Sequence, residues 1–195
     1  MIHQPLAFQF PYAIVYWVVF WMAFGMEGRV VRVAMDQSPT DQDQGTFRFL
    51  MVATPIALAM AFLASVLPWC LIDDPLVAFV SGLALTEGGV LLRVLSKKAL
   101  ASSFTGRVVV VATQEVVQTG VYRFVRHPSY TAAFMMLVGI TIALGSWLSA
   151  ALMFVACSYI YGKRVRVEES ALLETLGEPY RQYMAKTTRY IPFLI

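Results

Sequence analysis

Ser129–Tyr161, SYTAAFMMLVGITIALGSWLSAALMFVACSYIY, runs for 33 residues without a charged side chain. As one helix rising 1.5 Å per residue it would be about 50 Å long, against a bilayer core of about 30 Å. Gly145-Ser146 offers a break near the middle, so two helices meeting there fit better. Each is short enough that one end of the pair is expected to sit in a cytosolic extension.

The same character extends outward from this hairpin. Of 195 residues, 58% are hydrophobic and 14% charged, with mean hydropathy +0.66, and the apolar excess is gathered into runs near membrane-spanning length. Pro11–Met26 is an aromatic-rich run with no Lys or Arg before it, so it reads as a retained first span rather than a cleaved signal. Glu27–Arg48 is polar and reads as a loop. Phe49–Ile72 is a second span in which Pro55 and Pro68 are expected as kinks. Pro75–Leu95 is a third, carrying Glu87 beside Gly88 and Gly89. The class is therefore an all-α integral membrane protein with five transmembrane helices.

Charge placement orients those spans. All 15 Lys and Arg fall in 29–48, 93–126 and 163–189. For five spans this puts every basic residue on one side, which the positive-inside rule makes the cytoplasm. The loop Ser96–Arg126 and the tail Lys163–Ile195 then share the cytosolic face. A net charge of +3 distributed this way reads as membrane orientation, so no nucleic-acid partner is expected. Cys70 and Cys157 lie in separate apolar runs without metal-ligand spacing, and no metal is expected. No glycine-rich strand-to-helix turn exists for a Rossmann-type cofactor site.

Two polar stretches carry candidate chemistry. Gly120–Tyr130, GVYRFVRHPSY, gathers Tyr122, Arg123, Arg126, His127 and Tyr130 at a membrane boundary. Pro128 suits a first helical turn, which places His127 at the helix start, where Arg126, His127 and the helix start itself can take an anion. Alone, His127 reads as a structural helix-start residue or as a general base. The tail carries Arg164 and Glu168 four residues apart, hence on one helical face. Alone, that helix reads as a solvated charged face. Glu87 reads as an architectural residue that bonds a neighbouring helix or reaches for Arg93. The abundant Met and Phe can line an apolar tunnel, although in membrane spans such residues are more often ordinary packing.

Together, GVYRFVRHPSY and VEESALLETLGEPYRQY…RYIPF, separated by the apolar hairpin, resemble the isoprenylcysteine carboxyl methyltransferase family within a wider group that includes phospholipid methyltransferases. The resemblance covers about residues 107–195. Thr131-Ala132-Ala133 departs from it, since the family often has a glycine soon after the R-H-P-x-Y motif. The resemblance implies bound S-adenosylmethionine, leaving as S-adenosylhomocysteine, in a cytosolic pocket built from the loop before helix 4 and the C-terminal tail. It implies cofactor contacts at Gln114, Glu115, Val116, Val117, Tyr122, His127, Pro128, Ser129, Tyr130 and Glu168. It also implies that Arg164 meets the substrate carboxylate. Residues 1–95 would hold three membrane helices, and 96–195 the catalytic region with the helical hairpin 129–161.

The implied reaction is methyl transfer to the carboxylate of a lipophilic, prenylcysteine-like acceptor drawn from the surrounding membrane lipid. Such an acceptor is already ionised near neutral pH and needs no general base. Arg164 faces a compromise, because a guanidinium that grips the carboxylate too tightly weakens its attack. Two alternatives stay open: phospholipid amine methylation, and a non-catalytic membrane scaffold. The implied location is a multi-pass protein of the plasma membrane in a prokaryote or of the endoplasmic reticulum in a eukaryote.

Overall fold

A computed structural model of the chain describes residues 4–36, 41–100, 108, 110 and 115–191. Among these there are six α-helices and no strand: α1 (Tyr12–Asp36), α2 (Thr46–Ser65), α3 (Pro75–Leu100), α4 (Pro128–Ile142), α5 (Trp147–Leu176) and α6 (Glu178–Lys186). Large apolar side chains such as Trp21, Leu63, Trp69, Val155 and Tyr159 stand exposed on the outside, as a lipid-facing surface requires. By length and composition, α2 and α3 suffice to cross a membrane, while Tyr12–Gly25 and Pro128–Ile142 are shorter apolar stretches.

The tightest seam joins α3 to α4. Gly82, Thr86, Gly89 and Arg93 recur every three or four residues on the buried face of α3. A Cβ on Gly82 would collide with the backbone nitrogen of Ala143 and the carbonyl of Gly139, and one on Gly139 would lie 2.6 Å from the Gly82 carbonyl. Small residues thus let two backbones touch, which is how helices gain dispersion contact where lipid removes the hydrophobic drive. On α1, Tyr16 is fully buried and its hydroxyl donates to the Ile140 carbonyl of α4 at 3.4 Å. Trp17 stacks on Phe62 of α2, and Ser149 of α5 donates to the Ala61 carbonyl of α2 at 2.6 Å.

Connections gather at two opposite ends. At one end the α2–α3 link meets the α4–α5 turn: the Ile72 N–H donates to the Gly145 carbonyl at 2.8 Å. Gly145 turns with φ +69°, and Ser146 caps α5 by accepting from the Ser149 N–H. Asp74 caps α3 through the N–H groups of Leu76 and Val77. At the other end the stretch before α4 pairs with the tail, where Arg126 N–H donates to the Thr188 carbonyl at 2.8 Å and His127 N–H to that of Arg189 at 3.0 Å.

Several sequence expectations need correction. The helix that begins at Tyr12 continues to Asp36 through what reads as loop, because Glu27 finds a cation inside the fold instead of water. Pro68 does not kink a helix: α2 has ended by Ser65, and Pro68 opens a single 3-10 turn. Glu87 is exposed on α3 and does not reach Arg93, whose guanidinium is taken by Glu27 at 2.8 Å and by Ser129. Of the β-branched run 108–112, only Val108 and Val110 are described, and they pack on Ala171, Leu172 and Leu176 at the end of α5.

Candidate active site

The start of α4 builds the centre of the site. Pro128 occupies the first helical turn, and His127 is the cap residue with φ −123° and no side-chain capping bond. Its ring is therefore free to point along α5: Nε2 faces Glu169 Oε1 at 3.3 Å, and Nδ1 lies 4.0 Å from Glu168 Oε2. The imidazole stacks on Tyr130 with centroids 5.7 Å apart, and Tyr130 stacks in turn on Tyr161 at 5.7 Å. Below them Ser129 receives Arg93 on both its carbonyl and its hydroxyl. This fixes the first turn of α4 against α3.

Glu169 clamps the tail onto this turn. Arg126 Nε approaches its carboxylate at 3.1 Å and Arg189 Nη2 at 2.8 Å. Arg126 also donates to the carbonyls of Met184 and Thr187, and Tyr183 donates to the Tyr122 carbonyl at 2.7 Å. Burial by itself would raise the Glu169 carboxyl. Hydrogen bonds from His127 and Arg189, with the charges around them, overcome that and pull it down to about 2. Arg126, an expected anion ligand, is thus committed to holding the protein's own tail.

Glu168 is different from its neighbour. Its Oε2 is buried with no hydrogen-bond partner among the described residues, and the Tyr180 hydroxyl is in the same condition. A buried carboxylate oxygen without a donor is costly, which leaves this one open to a donor. Burial, and then the Glu168 carboxylate, push the Tyr122 phenol up, so it stays protonated. One helical turn before Glu168, the Arg164 guanidinium is buried: Nε donates to the Tyr130 hydroxyl at 3.0 Å, and Nη1 to Asp43 Oδ1 at 3.2 Å and Thr46 Oγ1 at 3.1 Å.

The expected residues divide accordingly. Tyr122, His127, Tyr130, Arg164 and Glu168 converge, and Pro128 and Ser129 support them from beneath. Glu115 is exposed, Val116 and Val117 are half-buried, and none of the three hydrogen-bonds to the cluster among the described residues. Gln114 lies outside the described residues. Asp43, Thr46, Arg93 and Glu169 were not expected in these roles. A polar Asp before an apolar run marks a helix start, but nothing local ties Asp43 to an arginine 121 positions later.

The cluster brings together a buried carboxylate oxygen lacking a hydrogen-bond donor among the described residues, two aromatic faces and a guanidinium. This donor set fits S-adenosylmethionine and an acidic acceptor.

Comparison with known proteins meets this geometry from the other direction. The isoprenylcysteine carboxyl methyltransferase (ICMT) family profile matches residues 82–174, which includes His127, Tyr130, Arg164, Glu168 and Glu169. The protein-S-isoprenylcysteine O-methyltransferase of Schizosaccharomyces pombe is 33% identical over 79 residues, 40% of this chain and 34% of that protein. A probable protein-S-isoprenylcysteine O-methyltransferase of Oryza sativa subsp. indica is 29% identical over 115 residues, 58% of this chain and 60% of its own length. The chain thus spans about a third of the yeast relative and about three fifths of the rice one. The structure of a eukaryotic intramembrane Ras methyltransferase, ICMT, superposes on 100% of this chain and 70% of its own with a TM-score of 0.65 at 21% identity, which shows a shared membrane-protein fold. The likeness to the isoprenylcysteine carboxyl methyltransferase family thus runs from within α3 to near the end of α5, at residues 82–174.

Proposed function

We propose that this protein transfers a methyl group from S-adenosylmethionine to the carboxylate of a lipophilic, prenylcysteine-like acceptor at the inner face of a membrane. The observation that carries the proposal is Glu168 Oε2, buried without a hydrogen-bond partner among the described residues, 4.0 Å from His127 Nδ1 and one helical turn from Arg164. The match over 82–174 and the names of the relatives supply the reaction class.

When bound, the cofactor would supply a methyl carbon on a positively charged sulfur, and that sulfur would keep the electron pair of the bond that breaks. Glu168 would take its ammonium, the rings of Tyr122 and Tyr130 would face its cationic groups, and Glu115, Val116 and Val117 would contact it through backbone. Arg164 would hold the acceptor carboxylate with one oxygen in line with the methyl carbon. No proton moves. The chain's contribution is alignment and exclusion of water by the stacked His127, Tyr130 and Tyr161 rings.

The proposed topology has five spans, with residues 1–95 supplying the first three and 96–195 the catalytic region on the cytosolic face. It is supported by the confinement of all 15 basic residues to three segments and by the gathering of the connections at two opposite ends.

The test is an acceptor screen with methyl-labelled S-adenosylmethionine and protein purified in detergent. Label in a farnesylcysteine derivative supports the reading. Label in phosphatidylethanolamine instead moves the protein to amine methylation, and failure to bind S-adenosylhomocysteine leaves only a scaffold.

A further inference from the structure

Like Glu168 Oε2, the Tyr180 hydroxyl is buried with no hydrogen-bond partner among the described residues, and Tyr180 as a whole is only 3% exposed. It stands on α6, beyond the 82–174 match, and the family resemblance gives it no role.

Gly177 ends α5 with φ +61°, Pro179 opens α6, and Tyr180 and Tyr183 are the buried residues of that nine-residue helix. Three positions apart, they share a face, with ring centroids 5.9 Å apart. Their hydroxyls do different things. That of Tyr183 donates to the Tyr122 carbonyl at 2.7 Å and ties α6 to the stretch before α4, while Arg126 holds the far end of α6 through the Met184 and Thr187 carbonyls. With the helix fastened in this way, packing asks only for the Tyr180 ring, and a phenylalanine would supply it without stranding a hydroxyl.

Burial first, then the Glu169 and Glu168 carboxylates, push the Tyr180 phenol up, so it stays protonated and has an O–H to give. Neither carboxylate accepts it. On the Glu169 side, Arg126 and Arg189 bring two guanidiniums to one carboxylate, which favours a further negative charge there. Glu168, with an open oxygen, favours a positive one.

We infer that Tyr180 is a cofactor-binding residue, whose hydroxyl donates to the carboxylate of the ligand's amino-acid end while the ammonium of that end goes to Glu168. This rests on the S-adenosylmethionine reading above and deepens it. The ammonium and the carboxylate of an α-amino acid hang from one carbon, so a single ligand group gives Glu168 its donor and Tyr180 its acceptor. Arg126, which the sequence offers as an anion ligand, is committed to Glu169 and the tail. The carboxylate then falls to a neutral donor carried by α6.

The experiment titrates two ligands by calorimetry in detergent: S-adenosylhomocysteine, and its decarboxylated form, which keeps the amine and lacks the acid. The proteins are the wild type, Tyr180→Phe and Glu168→Gln. Tyr180→Phe is expected to lose about tenfold in affinity for S-adenosylhomocysteine, the scale of one hydrogen bond to a charged group, and nothing for the decarboxylated form. Glu168→Gln is expected to weaken both. Equal weakening of both ligands by Tyr180→Phe makes the hydroxyl structural and overturns the inference. Unchanged affinity for both also overturns it, the hydroxyl then serving only a bound water. A wild type that binds neither ligand, or a Glu168→Gln that binds both as the wild type does, sinks the cofactor reading itself, and this inference with it.

Discussion

The Arg164 Nε donates to the Tyr130 hydroxyl at 3.0 Å, so one hydrogen bond ties the first turn of α4 to the midpoint of α5. Both groups are deep in the fold, and hydrogen bonds that involve a buried charge are worth about 1.5–3 kcal/mol. Tyr130→Phe keeps the stack with His127 and Tyr161 but removes the acceptor atom. The expected outcome is a fall of about 10- to 100-fold in kcat/KM for the acceptor, with S-adenosylhomocysteine affinity changed only a few-fold. Steady-state kinetics and calorimetry on the same preparation check it.

The adjacent glutamates should separate cleanly. Glu168→Gln removes the charge proposed to take the cofactor's ammonium, so cofactor affinity is expected to fall about 10- to 100-fold while the melting temperature stays near wild type. Glu169→Ala strips Arg126 and Arg189 of their shared partner. Breaking a buried pair this way costs about 3–5 kcal/mol. A large drop in melting temperature in detergent, with the tail more open to proteolysis, is the measurement.

Acid should loosen the same clamp. The Glu169 carboxyl is lowered in the folded state from 4.5 to about 2. A depressed carboxyl contributes stability that is complete above its unfolded value and is lost as pH falls through the folded one. Melting temperature measured across pH 6 to 3 should begin to decline below about 4.5, and the Glu169→Gln variant should lack that part of the slope.

Enlarging the α3–α4 seam should be poorly tolerated. The nearest atoms to an added Cβ at Gly82 are backbone, which cannot rotate away as a side chain would. Gly82→Val is expected to cost about 3 kcal/mol or more through overpacking, read as a lower melting temperature and reduced folded yield. Gly145→Ala, whose added Cβ meets open space but whose φ is +69°, should cost less.

Much of this was legible because each signal was local. Long uncharged runs mark the helices, Gly145-Ser146 marks the hairpin turn, and Pro128 sets the start of α4 beside His127. What stayed hidden depends on pairing across the fold. Glu27 reads as loop until Arg93, 66 residues away, is seen to neutralise it and carry α1 onward. Arg126 reads as an anion ligand until Glu169, Met184 and Thr187 are found to occupy it. The resemblance singles out Glu168, but the reason its neighbour is occupied is not local, since it turns on where Arg189 of the tail arrives.

The backbone contact between Gly82 and Gly139 has a consequence for traffic through the bilayer. Two helices that touch without side chains between them leave no gap as wide as a hydrocarbon tail, and they move as one wall. On the acceptor reading proposed above, a greasy molecule sliding in sideways from the lipid would have to part some other pair of helices.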